Sequence, residues 1–75
     1  MSKLPTLKDK DLIRVLKKLG FFEHRQRGTS HLMMKHQDGR RTTIPIHPGH
    51  DIPVGTLRAI LRDINVSPQQ LQEVL

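Results

Sequence analysis

The chain contains 0 Cys, 0 Trp and 0 Tyr in 75 residues. Without cysteine there is no disulfide to staple the fold, no thiolate nucleophile and no thiolate metal ligand, which suits a reducing, intracellular setting. With 2 Phe as the whole aromatic complement, recognition of splayed bases by rows of stacking rings is not expected. Contacts to a phosphate backbone are the better reading of any nucleic-acid binding. Long apolar runs are missing too. No segment approaches the run of about 20 apolar residues that spans a bilayer, and Met1 to Leu7 lacks the apolar stretch of a signal peptide. A soluble, cytoplasmic protein is expected. Acidic residues are scarce: 7 Asp+Glu stand against 13 Lys+Arg, a formal net charge of +6. Such an excess favours a polyanion, an acidic protein or an anionic membrane surface, and charge alone does not choose among them.

What is present reads as one domain, residues 1–75, with a single small core; a chain of this size buries about 60% of the surface its unfolded form exposes. Leu12, Ile13, Leu16 and Leu19 fall at helical spacing among Lys8, Lys10, Arg14, Lys17 and Lys18. Thr6 with Asp9 reads as the capping box of this helix and Gly20 as its C-terminal cap. Extended segments follow over Phe21 to Arg27, Ser30 to His36 and Arg40 to Ile46, with turns at Gly28-Thr29 and around Asp38-Gly39. Leu57, Ile60, Leu61 and Ile64 mark a second helix, with Arg58, Arg62 and Asp63 on its outer face. Either Asp51 or Thr56 caps it. Ser67-Pro68-Gln69-Gln70 opens a short last helix.

The apolar pattern sets the hairpin register. A two-residue Asp38-Gly39 loop would place Leu32 and Met34 on the face opposite Ile44 and Ile46, splitting the core. A three-residue loop with Gly39 in the left-handed conformation puts all four on one face. The fold class is therefore α+β, ordered α-β-β-β-α with a short extra C-terminal helix. A three-stranded antiparallel sheet is covered on one face by helices, as in double-stranded-RNA-binding domains. The uncovered face carries His31, Met33, Lys35, Arg41, Thr43, Pro45 and His47. His31 then lies opposite Pro45, with His47 as its diagonal neighbour at roughly 7 to 8 Å between backbones.

An imidazole on a cationic face suits general acid-base chemistry on RNA, which supplies its own nucleophile in the 2′-hydroxyl. His31 fits the base, Lys35 and Arg41 are placed to hold phosphate, and His47 is the candidate assistant as acid. Arg25, Arg27, Arg40 and Arg41 cluster near the strand ends, either as solvated edge-protecting charges or as phosphate contacts. His47, His50 and Asp51 with His31 or His36 are conceivable metal ligands. A solvated Pro-Gly loop is the simpler reading, and no metal or cofactor is expected. His24 and His36 read as exposed strand residues without a special role.

Four segments together are more specific than any one of them: Arg25-Gln26-Arg27-Gly28-Thr29-Ser30-His31, Asp38-Gly39-Arg40, Ile44-Pro45-Ile46-His47-Pro48-Gly49, and Gly55-Thr56-Leu57-Arg58-Ala59-Ile60-Leu61-Arg62. In this order, from about Leu7 to Leu75, the chain resembles the HicA family, the toxin half of HicBA toxin-antitoxin pairs. The resemblance implies a fold like that of double-stranded-RNA-binding domains, cleavage of mRNA that stops translation, and a HicB-like antitoxin partner that covers the active face. The family's catalytic histidine lies in a Gly-Ser-x-His segment on the second strand, a role that falls here on His31. Thr29 stands where Ser is usual and Ser30 where His or Asn is common; neither change removes the base, and Ser30 bears on its orientation. Two rival readings remain from composition and fold alone: a non-catalytic RNA-binding module, and a basic protein-interaction domain that docks an acidic partner.

Overall fold

The structure, a computed structural model, describes residues 4–27 and 30–75, so the turn expected at Gly28-Thr29 lies outside the described residues. Helix α1 (Asp9–Lys18) buries Leu12, Val15 and Leu16, with Asp9 and Asp11 in its first turn and Lys17 and Lys18 in its last. That charge order complements the helix dipole. The helix does not start at a Thr6 cap. Ile52 N–H donates to the Leu7 carbonyl at 2.7 Å, and Lys8 bridges to Asp51, which hold this segment extended. Lys8 becomes the N-cap, and Asp11 rather than Asp9 reaches back to its N–H, at 3.4 Å. Gly20, at φ +96°, ends the helix as expected.

Strands β1 (Phe21–Arg27), β2 (His31–His36) and β3 (Arg41–Pro45) form an antiparallel sheet in the order β1-β2-β3. The β2–β3 loop has the three-residue form that the apolar pattern requires. His36 N–H donates to the Arg40 carbonyl at 2.7 Å, and Gly39 N–H to the His36 carbonyl at 2.9 Å with Gly39 at φ +101°. Leu32 pairs with Ile44 and Met34 with Thr42, so Leu32, Met34 and Ile44 are all buried on the helix-covered face. Register and core thus agree. β1 contains a bulge that periodicity did not foresee: Glu23 pairs with Met34 and Arg25 with Met33, leaving His24 as the extra residue.

Helix α2 (Val54–Asp63) starts at neither expected cap. Pro53 is its N-cap, its carbonyl accepting from Leu57 N–H at 2.9 Å, while the Asp51 carboxylate is drawn instead to Lys8 Nζ at 3.2 Å. At the other end Asn65 takes the left-handed conformation (φ 56°), and Arg40 Nη1 donates to the Ile64 carbonyl at 2.6 Å. These contacts satisfy carbonyls that the last turn leaves open. Asp63 is exposed, as read, and its carboxylate also accepts from the buried Thr42 Oγ1 of β3 at 3.0 Å. Helix α3 (Pro68–Val74) opens as the sequence reads: Ser67 Oγ accepts from Gln70 N–H at 3.1 Å, and Gln70 Oε1 from Ser67 N–H at 2.8 Å. Leu57, Ile60, Leu61, Ile64 and Leu71 join α1 and the sheet in one core.

His36 departs from the exposed position read from the sequence. Its side chain is only 23% exposed, its ring meets Phe21 edge-on at 4.9 Å, and Nδ1 lies 3.1 Å from Asp38 Oδ1. Pairing explains this, because His36 stands directly opposite Phe21, on the face that points into the core. The Asp38 carboxyl is lowered from its ordinary value first by a backbone hydrogen bond from Arg40, with desolvation the next-largest influence and opposing it, and then by the Arg40 guanidinium and by His36.

Candidate functional site

The uncovered face of the sheet is built by register. Directly opposed residues of antiparallel strands point to the same side, so the pairings define rows across the sheet. One row joins Arg27, His31 and Pro45 through backbone pairing, the next joins Arg25, Met33 and Thr43, and the third Phe22, Lys35 and Arg41. The bulge at His24 places Arg25 in this set. Uninterrupted alternation from the buried Phe21 would turn Arg25 toward the helices; the extra residue returns it to the open side. Among the described residues Arg25, Lys35 and Arg41 have no ion-pair partner. Their charge is available to an incoming anion.

His31 begins β2 and is exposed. Its Nδ1 lies 3.3 Å from Ser30 Oγ. When Nδ1 carries the proton and donates it to Ser30, Nε2 presents a free lone pair to solvent, the form a general base requires. Ser30 therefore contacts the imidazole, and its hydroxyl can pair with Nδ1 in either tautomer. Thr29 and Gly28, the rest of that motif, lie outside the described residues.

The last ladder contact of the β2–β3 pair is Ile46 N–H donating to the Ser30 carbonyl at 2.7 Å. His47 follows it, beyond the end of β3, and is exposed. Its position is set from the other layer of the fold: His47 N–H donates to Asp9 Oδ2 at 3.0 Å, while Asp9 Oδ1 accepts from Lys10 N–H at 2.6 Å. Asp9 is only 8% exposed, the one charged side chain among the buried residues described. A carboxylate at that depth is tolerated because both oxygens accept backbone N–H groups and the residue stands in the first turn of α1. Sequence reasoning assigned Asp9 to a cap and missed this tether across 38 positions of chain. An Asp in a first helical turn does not tell which distant N–H it will meet.

Arg40 separates from the other candidate phosphate contacts. Its Nε donates to Asp38 Oδ2 at 2.8 Å, Nη1 to the Ile64 carbonyl, and its guanidinium carbon lies 5.1 Å from the Phe21 ring centre. This arginine closes the hairpin onto the end of α2. A shallow hollow runs along β3 beside the open face, lined by Met33, Arg41, Thr42, Thr43 and Asp63. Among the described residues no three metal-ligating side chains converge, and Asp51, considered with His47 and His50, is paired to Lys8. No described helix is long and apolar enough to cross a membrane.

His31 is exposed at the start of β2, on the sheet face where Arg25, Lys35 and Arg41 have no ion-pair partner among the described residues. Comparison with curated proteins gives no match. The family model described as the HicA toxin of bacterial toxin-antitoxin systems matches residues 10–66, which cover α1 from its second residue, the whole sheet and α2. α3 and the Asp9 tether fall outside the matched span. With most of its length matched, the chain belongs to the HicA toxin family, and so is a toxin of a bacterial toxin-antitoxin system.

Proposed function

We propose that this toxin is a metal-independent endoribonuclease that cleaves mRNA, with His31 as the general base. The observation that supports this best is the exposed His31 imidazole on a face where Arg25, Lys35 and Arg41 lack ion-pair partners among the described residues. Nε2 of His31 takes the proton of a ribose 2′-hydroxyl, and O2′ attacks the adjacent phosphorus. As the bond from phosphorus to O5′ breaks, an acid delivers a proton to O5′. The products are a 2′,3′-cyclic phosphate and a 5′-hydroxyl. Arg25, Lys35 and Arg41 stabilise the charge that develops on the phosphoryl oxygens. Arg27 pairs with His31 in the ladder and is assigned to the same task. His47, fixed by Asp9, is the assigned acid.

Family membership also implies a HicB-type antitoxin as partner. A chain of formal net charge +6 suits an acidic antitoxin surface laid over the open face, which would also cover the half-buried Met33.

The test is expression of the chain alone, with and without His31→Ala. Removal of a general base lowers cleavage roughly 10²- to 10⁴-fold, and an exposed strand residue is replaced with melting close to wild type. Growth arrest should disappear with cleavage. Products should carry 2′,3′-cyclic phosphate, and RNA with a single 2′-deoxy sugar at the scissile position should resist cutting with EDTA present. Retained cleavage by the His31→Ala chain, or cutting of the deoxy substrate, rejects the mechanism. A wild-type chain that binds RNA without cleaving it, with an affinity that His31→Ala leaves unchanged, would leave a binding module instead.

A further inference from the structure

We propose that Phe22, with His24 beside it, is a stacking ledge for one unpaired nucleobase of the RNA held on the open face; this rests on the ribonuclease reading. The chain has 2 Phe, adjacent in sequence and opposite in fate. Phe21 is 3% exposed in the core, whereas Phe22 is 46% exposed. Strand alternation accounts for the opposition, but not for an aromatic ring on the open side. Among the described residues two other large apolar side chains are comparably exposed, Val54 and Leu75. Neither lies in the rows of the open face. Phe22 stands directly opposite Lys35, which pairs in turn with Arg41. The His24 ring meets Phe22 edge-on, with 6.5 Å between centroids.

The surroundings select the occupant. No acidic residue belongs to the three rows, and Glu23, next in sequence, is held by Lys17 at 2.7 Å. An apolar protein surface closing over the ring would strip water from Lys35 and Arg41 without replacing it. A nucleotide brings a flat ring for Phe22 and phosphates for the cations in one ligand, the combination that single-strand binders use. Position adds a constraint. Lys35 is four residues along β2 from His31, which at about 3.3 Å per residue sets the ledge about 13 Å from the catalytic row. The stacked base therefore lies outside the cleaved linkage, on the same strand, and the favoured substrate is single-stranded there.

The test uses the His31→Ala chain, which holds RNA without cutting it, and a short single-stranded RNA oligonucleotide. Phe22→Leu, which keeps an apolar side chain but no ring face, should weaken binding roughly 5- to 100-fold, the effect of losing one base stack. Phe22→Trp should restore it. The dependence of affinity on salt should be unchanged by Phe22→Leu and become shallower for Lys35→Ala, since only the lysine releases counterions. With an RNA of the same backbone made abasic at the stacked position, Phe22→Leu should have no effect. Equal affinity for intact RNA with and without Phe22→Leu, alongside weaker binding by Lys35→Ala, overturns the ledge and leaves the ribonuclease reading standing. Unchanged RNA affinity with lost binding of an acidic antitoxin gives the ring to the protein partner and likewise overturns it. Absence of any RNA binding before Phe22 is altered removes the reading beneath it.

Discussion

The contact between Asp9 and His47 joins the first helical turn to the segment after the sheet, and Asp9→Ala removes it together with a local bond to Lys10. Both Asp9 oxygens accept backbone N–H groups, at 3.0 Å from His47 and 2.6 Å from Lys10. Hydrogen bonds to a charged acceptor contribute about 1.5–3 kcal/mol each. The Lys10 N–H sits at a helix start and can turn to water, so its share is small. The His47 N–H loses a partner across the fold. We expect Asp9→Ala to cost about 2–3 kcal/mol, and Asp9→Asn, which retains one acceptor oxygen, about half of that. Domains of this size are stable by roughly 0.05–0.15 kcal/mol per residue, so the loss is a large fraction of the whole. Tm should fall by about 10–20 °C, at 4–8 °C per kcal/mol. Urea unfolding gives the free energy, and amide hydrogen exchange at His47 reads the contact itself: protection should disappear in Asp9→Ala and persist in part in Asp9→Asn. A loss below about 0.5 kcal/mol with unchanged exchange at His47 would refute the tether, and with it the account of how His47 is held.

Two further outcomes test the sheet. Deleting His24 removes the bulge residue while leaving Arg25 opposite Met33 and Gln26 opposite Leu32; the chain should fold, and its RNA affinity should fall less than that of Arg25→Ala, an order whose reversal in side-by-side binding assays would contradict the assigned register. Gly39 and Gly20 both have positive φ, but a Cβ at Gly39 meets nothing within 4 Å, whereas one at Gly20 falls 2.8 Å from His36 Nε2. Gly39→Ala should therefore cost only the backbone term of about 1–2 kcal/mol, and Gly20→Ala distinctly more by thermal melting, with equal losses counting against the packing of His36.

Local rules made most of the fold legible. The α3 cap was readable because Ser67, Pro68 and Gln70 satisfy each other within one turn and depend on nothing distant. The hairpin loop was readable for a different reason: one loop length buries Leu32, Met34 and Ile44 together and the other divides them, so the core decides what the Asp-Gly dipeptide leaves open. The helix starts failed where the deciding contact is remote. Thr6 has the chemistry of a cap, yet Leu7 and Lys8 are held extended by Ile52 and Asp51, and the same contact takes Asp51 away from α2.

The site was legible along one strand and illegible between elements. His31, Lys35 and Arg41 follow from alternation and loop length, both written locally. Arg25 reaches that face only because His24 bulges, and nothing in Glu23-His24-Arg25 marks which residue will be left unpaired; with Phe21 paired to His36 at one end and Arg27 to His31 at the other, one residue of β1 is left over between them. Arg40 shows the converse. In sequence it is one more cation beside Arg41, but the hairpin turn aims it at Asp38 and at the end of α2, where a carbonyl and an aromatic ring take its guanidinium. Adjacent arginines thus have separate tasks because strand alternation points Arg41 to solvent while the loop folds Arg40 back onto the core. An alanine at either position removes the same formal charge. Arg40→Ala should therefore act on melting and Arg41→Ala on the salt dependence of RNA binding.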